Sequence, residues 1–169
     1  MAGIPFSEMS CSIARALDVV GERWSLLILR DAFNGVRRFD DFQRGLGIAR
    51  NILTDRLESL VAHGVIERRP YQKHPPRYEY ELTAKGRELY PVLIALRTWG
   101  DRYSAGPDGP SVLVRHRDCG GDAVARTVCD RCGEELRPRD MRVTPGPGLH
   151  GDEREPVVPV WLHRLTEAE

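Results

Sequence analysis

The sequence lacks a net charge: 25 Lys+Arg balance 25 Asp+Glu across 169 residues. It lacks any apolar run near the ~20 residues that a membrane helix needs, which excludes a span of that kind. The opening MAGIPFSEMSCS lacks the basic start and apolar core of a secretory signal, so the expected location is the cytoplasm. Cysteine is scarce, with four in all. Thiols stay reduced in that compartment, so the four point to metal or redox chemistry before structural disulfides. No stretch supplies a substrate pocket, a catalytic base or a cofactor loop, which argues against an enzyme.

What is present suits a globular chain, 41% hydrophobic and 30% charged, long enough for one domain and an appendage. The charge is unevenly spread. Residues 1–104 hold 16 Lys+Arg against 13 Asp+Glu, and residues 105–169 hold 9 against 12. Between Arg37 and Arg87 the count is 11 against 7. A positive segment inside a neutral chain fits the electrostatic footprint of a nucleic-acid binder.

That segment contains GLGIARNILTDRLESLVAHG, residues 45–64. Ala49, Leu53, Leu57, Leu60 and Val61 recur at helical spacing and share one face. Arg50, Asn51, Thr54, Asp55 and Arg56 fall outside or beside that stripe, near the helix start. Such a front end suits the DNA major groove, because its side chains reach base edges while its unpaired N–H groups attract phosphate. An ordinary surface helix has the same pattern, so the neighbours decide.

Residues 11–20 predict a short helix, capped by Ser10 or Ser12 and stopped at Gly21. Residues 24–33, apolar nearly all round, predict the most buried helix. Residues 39–46 predict another, with Phe39, Phe42 and Leu46 inward. The brief turn at 45–47 joins it to the helix above as a helix-turn-helix. After Gly64 the period changes. Residues 65–71 and 77–83 are β-prone, with Tyr78, Tyr80 and Leu82 alternating with Glu79 and Glu81. Between them lies QKHPP, a proline-rich tip carrying Lys73 and His74. A ribbon with a basic tip after a helix-turn-helix makes a wing, and Arg68, Arg69, Lys73 and Arg77 become candidates for phosphate or groove contact. The expected fold class is mainly α with a small β wing, a winged helix-turn-helix. The candidate DNA-contacting set is Arg38, Arg50, Asn51, Thr54, Asp55, Arg56, Arg68, Arg69, Lys73 and Arg77.

Thr83 caps a predicted helix over residues 84–103. Its apolar positions Leu89, Val92, Leu93, Leu96, Trp99 and Tyr103 exceed what so small a domain buries. A surplus stripe predicts a partner, here a two-fold homodimer built on this helix and the first one, since two half-sites need two recognition helices. AGPDGPS, residues 105–111, reads as a linker between a first domain, residues 1–104, and a module over residues 112–169. The module is expected to be small and β-rich, zinc-ribbon-like, with short strands at 112–114 and 123–128. His116 and Cys119 form one x2 pair and Cys129 and Cys132 a second, each followed by glycine. That pattern suits two knuckles aiming four ligands at one tetrahedral Zn. A disulfide between Cys129 and Cys132, a metal on three ligands, and free thiols stay open as alternatives. The tail, ending in PVVPVWLHRL and a few residues more, adds a strand or packs on a neighbour.

These residues resemble the HxlR-type winged-helix transcriptional regulators over about residues 11–103. The marks are Cys11 before the first helix, GERW at 21–24, Arg38 and Phe39 before the third helix, LTDRL at 53–57, PRYEY at 76–80 and LTAKG at 82–86. The resemblance implies a dimeric, DNA-binding regulator, most often a repressor, with its recognition helix at residues 50–63. Ala49 departs from the family's usual serine and caps poorly, at a cost of roughly 1 kcal/mol. The other departure is the appendage with its Cys/His cluster. In some relatives the N-terminal cysteine is a thiol switch. Here Cys11 lies beside a helix start with Arg15 one turn on, both favouring thiolate; the alternative is a small buried residue at the dimer interface. A second functional reading, a protein-interaction module that keeps the scaffold without DNA, rests on the zero net charge and the acidic end. Operator and effector are not legible in the sequence.

Overall fold

A computed structural model describes residues 5–144, 146 and 147. The helices are α1 (Ser12–Val20), α2 (Ser25–Phe33), α3 (Phe39–Leu46) and α4 (Arg50–Ala62), followed by β1 (Ile66–Gln72), β2 (Arg77–Leu82), α5 (Ala84–Arg87) and α6 (Tyr90–Tyr103). The fold is mainly helical with a two-stranded antiparallel wing. None of these helices is long and apolar enough to cross a membrane.

The core is where the helical stripes meet. Ile28, Leu29 and Ala32 of α2, Phe42 of α3, and Leu53, Leu57 and Leu60 of α4 close on Val65, Ile66 and Leu82 at the wing base. Helix α2 contributes four buried residues, the most of any helix, as its all-round apolarity predicts. Burying such side chains stabilises by about 1.5–3 kcal/mol each, and this one cluster fixes α4 against the rest. The corner before α2 is strained: Trp24 has φ +85°, a left-handed conformation that a bulky residue adopts only under constraint. The Ser25 N–H bonds to the Glu22 carbonyl at 3.1 Å and holds the corner.

Three expectations are corrected. Helix α1 starts at Ser12 with Cys11 as its N-cap, and neither Ser10 nor Ser12 caps it. The helix expected over residues 84–103 is two pieces, because Pro91 has no N–H for the Arg87 carbonyl and clashes with that turn. The strands expected at 112–114 and 123–128 do not form, and the pairing there is limited to two isolated bridges, Arg115 with Asp122 and Val128 with Glu135. Their neighbouring backbone groups bond instead within two tight loops. The apolar tail piece PVVPVWLHRL lies outside the described residues.

Candidate nucleic-acid interface

Helix α3 ends at Gly47, φ +61°, and the chain enters α4 two residues later. Ala49 is the N-cap and makes no side-chain bond to the first turn. The leading N–H groups of α4 therefore have no side-chain cap, and a helix start of that kind attracts an anion. Arg50, Asn51 and Asp55 are exposed beside it. The Thr54 hydroxyl donates to the Arg50 carbonyl at 2.9 Å. The Arg50 guanidinium lies over the Phe39 ring at 4.6 Å, with Asp40 at 3.7 Å.

Arg56 points elsewhere. It pairs with Glu22 at 3.0 Å, and its side chain is 23% exposed. Spacing alone groups it with the front of α4. In the fold it braces the recognition helix on the strained corner before α2.

The wing pairs Ile66 with Leu82, Arg68 with Tyr80 and Pro70 with Tyr78, with an irregularity between Pro70 and Gln72. Proline is tolerated there because no ladder N–H is required of it. The Arg37–Arg38 segment lies along the free edge of β2: Arg38 bridges to Glu79, and the Tyr80 N–H donates to the Arg37 carbonyl at 2.8 Å. Arg38 also donates to Glu79 at 3.2 Å and sits over the Tyr71 ring at 4.8 Å. Arg68 lies over Tyr78 at 4.3 Å, and Arg69 pairs with Glu67 and Glu81. Lys73 and Arg77 are exposed at the tip, around a cis His74-Pro75 bond. Burial pushes the Tyr80 phenol above its ordinary pKa, against the opposing pull of Arg68.

Sequence reasoning missed a latch at the far end of α4. The Thr83 side chain accepts the Gly86 N–H at 3.1 Å, as expected of a cap, and its own proton goes to the Gly64 carbonyl at 2.7 Å. The Lys85 ammonium donates to the His63 carbonyl at 2.8 Å. A cation on the last carbonyls of a helix complements its dipole. LTAKG thus closes the recognition helix onto the wing. The glycine inside a helical stretch was the available signal.

Cys11 is half-buried at the start of α1 and makes no capping bond. Arg15, expected beside the thiol, instead donates to the Met9 carbonyl at 2.8 Å. His116 Nδ1 lies 3.3 Å from Cys119 Sγ. Backbone N–H groups of Cys132 and Arg131 hydrogen-bond Cys129 and hold its thiol below the usual range, with the Cys132 thiol adding to the effect. Among the described residues no three His, Cys, Asp or Glu side chains gather closely enough to hold an ion.

Residues 19–107 match the family described as HxlR-like helix-turn-helix. The chain belongs to that family. It is 50% identical over 138 residues to the uncharacterized HTH-type transcriptional regulator Rv3095 of Mycobacterium tuberculosis, spanning 82% of this chain and 87% of that one. The crystal structure of PA1607, a transcription-factor candidate, superposes with a TM-score of 0.76 at 43% identity, over 85% of this chain and all of that one. The redox regulator HypR in its oxidised form superposes at 0.51 with 34% identity, over 54% of this chain and 96% of that one. The likeness to Rv3095 and PA1607 thus reaches past the winged helix into the appendage.

Proposed function

We propose that this HxlR-like protein is a sequence-specific regulator of transcription that binds duplex DNA as a homodimer. One observation carries the reading. Arg38 and Phe39, adjacent in sequence, stack in opposite directions: Arg38 on Tyr71 of the wing, and Phe39 under Arg50 of α4. The wing and the uncapped start of the recognition helix are therefore set side by side. Arg50, Asn51, Thr54 and Asp55 would face base edges, with Lys73, Arg77 and Arg68 on the flanking backbone. Arg56 serves as a brace and not as a contact. Arg38 and Arg69 are held by Glu79 and by Glu67 and Glu81, so they meet DNA only by exchanging those partners.

Dimerisation is supported by α6. Val92, Leu96, Trp99 and Tyr103 are 48–65% exposed and lie one turn apart along one face. On α1, Ile13 and Leu17 are exposed as well. A second copy is the partner that brings two recognition helices to half-sites about 34–36 Å apart. A dimer whose operator overlaps a promoter would exclude polymerase, and repression is the output we propose. Likeness to the redox regulator HypR supports a thiol switch at Cys11, whose neighbour Ile13 belongs to that exposed surface.

The test is footprinting and gel shift on DNA flanking the gene. Protection of a pseudo-palindrome that outlasts competitor DNA is expected. No retention even at low salt would reject the reading in favour of an interaction module, since phosphate contacts are strongest there. A thiol oxidant should alter operator affinity in the native protein but not in Cys11→Ser; an equal response in both removes the switch.

A further inference from the structure

The appendage contains an internal repeat that its amino-acid sequence barely shows. The His116 N–H donates to the Gly121 carbonyl at 2.7 Å, and the Cys129 N–H to that of Glu134 at 2.9 Å. Gly120 returns to His116 at 2.9 Å, and Gly133 to Cys129 at 2.8 Å. Ala123 bonds to Val114, and Leu136 to Thr127, both at 2.8 Å. Every bond of the first loop recurs 13 positions on in the second. So do the bridges, Arg115 with Asp122 and Val128 with Glu135. Gly120 and Gly133 occupy matching left-handed positions, φ +71° and +74°, which only glycine adopts without strain. The chain builds the same knuckle twice, and each carries two potential metal donors three residues apart, an imidazole and a thiol in the first and two thiols in the second.

Two more observations bear on what the knuckles hold. Backbone N–H groups of Arg131 and Cys132 are aimed at Cys129 Sγ, the outer-shell arrangement that orients and stabilises a metal-bound thiolate. And the module has no core: among the described residues beyond Ser104 none is buried, while Val112, Leu113, Val124, Val128, Met141 and Val143 are each about half exposed. Two formed loops without a hydrophobic core need another source of folding free energy, and a structural metal supplies it in small domains.

We infer that the paired knuckles close on one divalent ion, most suitably Zn2+, through His116, Cys119, Cys129 and Cys132. Three sulfurs and one imidazole nitrogen match the tetrahedral preference of zinc. Among the described residues the two pairs do not gather into one group of three or more ligands, so uptake of the ion has to draw the knuckles together. The connection between them is anchored at its middle, where Arg97 of α6 donates to the Ala123 carbonyl at 2.9 Å. Metal loading therefore stiffens a module that is tied directly to α6.

The test uses the full chain, reduced and stripped with a chelator, then titrated with Zn2+ and with Co2+. One equivalent per chain is expected, with Co2+ giving the charge-transfer and ligand-field bands of a tetrahedral, thiolate-rich centre. Cys119→Ser and Cys132→Ser each abolish those bands, His116→Ala weakens uptake at least about tenfold, and Cys11→Ser changes nothing. The native titration alone decides whether metal binds. Failure to take up either ion overturns the inference. So does uptake undiminished in Cys119→Ser, which would confine the ion to the second knuckle. None of these readouts depends on DNA.

Discussion

Replacing Gly86 with alanine sets two rules against each other. Gly86 is buried in α5, and helix propensity favours alanine over glycine by about 1 kcal/mol. The structure predicts the opposite sign. A Cβ at Gly86 would lie 2.1 Å from the Val65 carbonyl oxygen and 3.2 Å from Leu82 Cδ2. The first contact is about 1 Å inside the ~3.3 Å that a carbon and a carbonyl oxygen accept. The obstacle is backbone, so no rotamer relieves it. Overpacking of this kind costs about 1–3 kcal/mol. The same Val65 oxygen accepts the Thr83 N–H at 3.1 Å, and loosening that bond and the Gly86 cap adds about 1 kcal/mol. Set against the propensity gain, the net loss is about 2 kcal/mol. Urea unfolding followed by far-UV circular dichroism, at fixed protein concentration, reads it as a midpoint about 1 M lower for a slope of about 2 kcal/mol/M. Gly45→Ala is the control. It is helical too, but its Cβ would meet only Asp31 Oδ2 at 3.7 Å, so it should leave the midpoint unchanged or raise it. A Gly86→Ala midpoint at or above the native value would refute the latch between wing and recognition helix.

Four further outcomes follow from the same geometry. Arg50→Ala should cost about 1–3 kcal/mol on operator DNA if it reads guanine; an equal loss on random DNA would reduce it to a phosphate contact. Lys73→Ala and Arg77→Ala should each lower the salt slope of binding by about 1 without altering sequence preference, measured by titration at several salt concentrations. Leu96→Glu with Trp99→Glu should convert the proposed dimer to monomer in analytical ultracentrifugation while leaving the helical spectrum intact, because both side chains are half exposed or more; an unchanged sedimentation coefficient removes α6 from the interface. Arg97→Met should free the appendage. Its Nε is 3.6 Å from Asp101, too long for a hydrogen bond, and Nε and Nη1 are buried without partners, so the loss of stability stays small. Proteolysis near residues 105–111 should accelerate, and a native cleavage rate would sink the tether.

Much of the winged helix was legible because its signals are local. Helical period marked α3 to the residue, and the switch to period two at Val65 marked the wing within a residue or two. The site residues were legible by type more than by role. Arg50 and Arg56 look equivalent in the sequence; only the packing of α4 turns one outward and the other onto Glu22. Arg15 looked like a partner for Cys11, and the fold sends it to Met9. The Cys/His spacing raised the expectation of a metal site, but the repeat behind it is written in backbone hydrogen bonds, and dissimilar side chains such as those of His116 and Cys129 hide it.

By itself the sequence determined the helices of the first domain up to α4 and the two strands of the wing, where charge accumulates and which residue types are chemically equipped to meet DNA or metal. Those properties depend on neighbours a few positions away along the chain. Tertiary structure alone decided that Arg38 is committed to Glu79 and Arg56 to Glu22. It also placed Thr83, Lys85 and Gly86 at the end of α4 and left the outer face of α6 uncovered. Each of those depends on groups distant in sequence that meet only when the core closes.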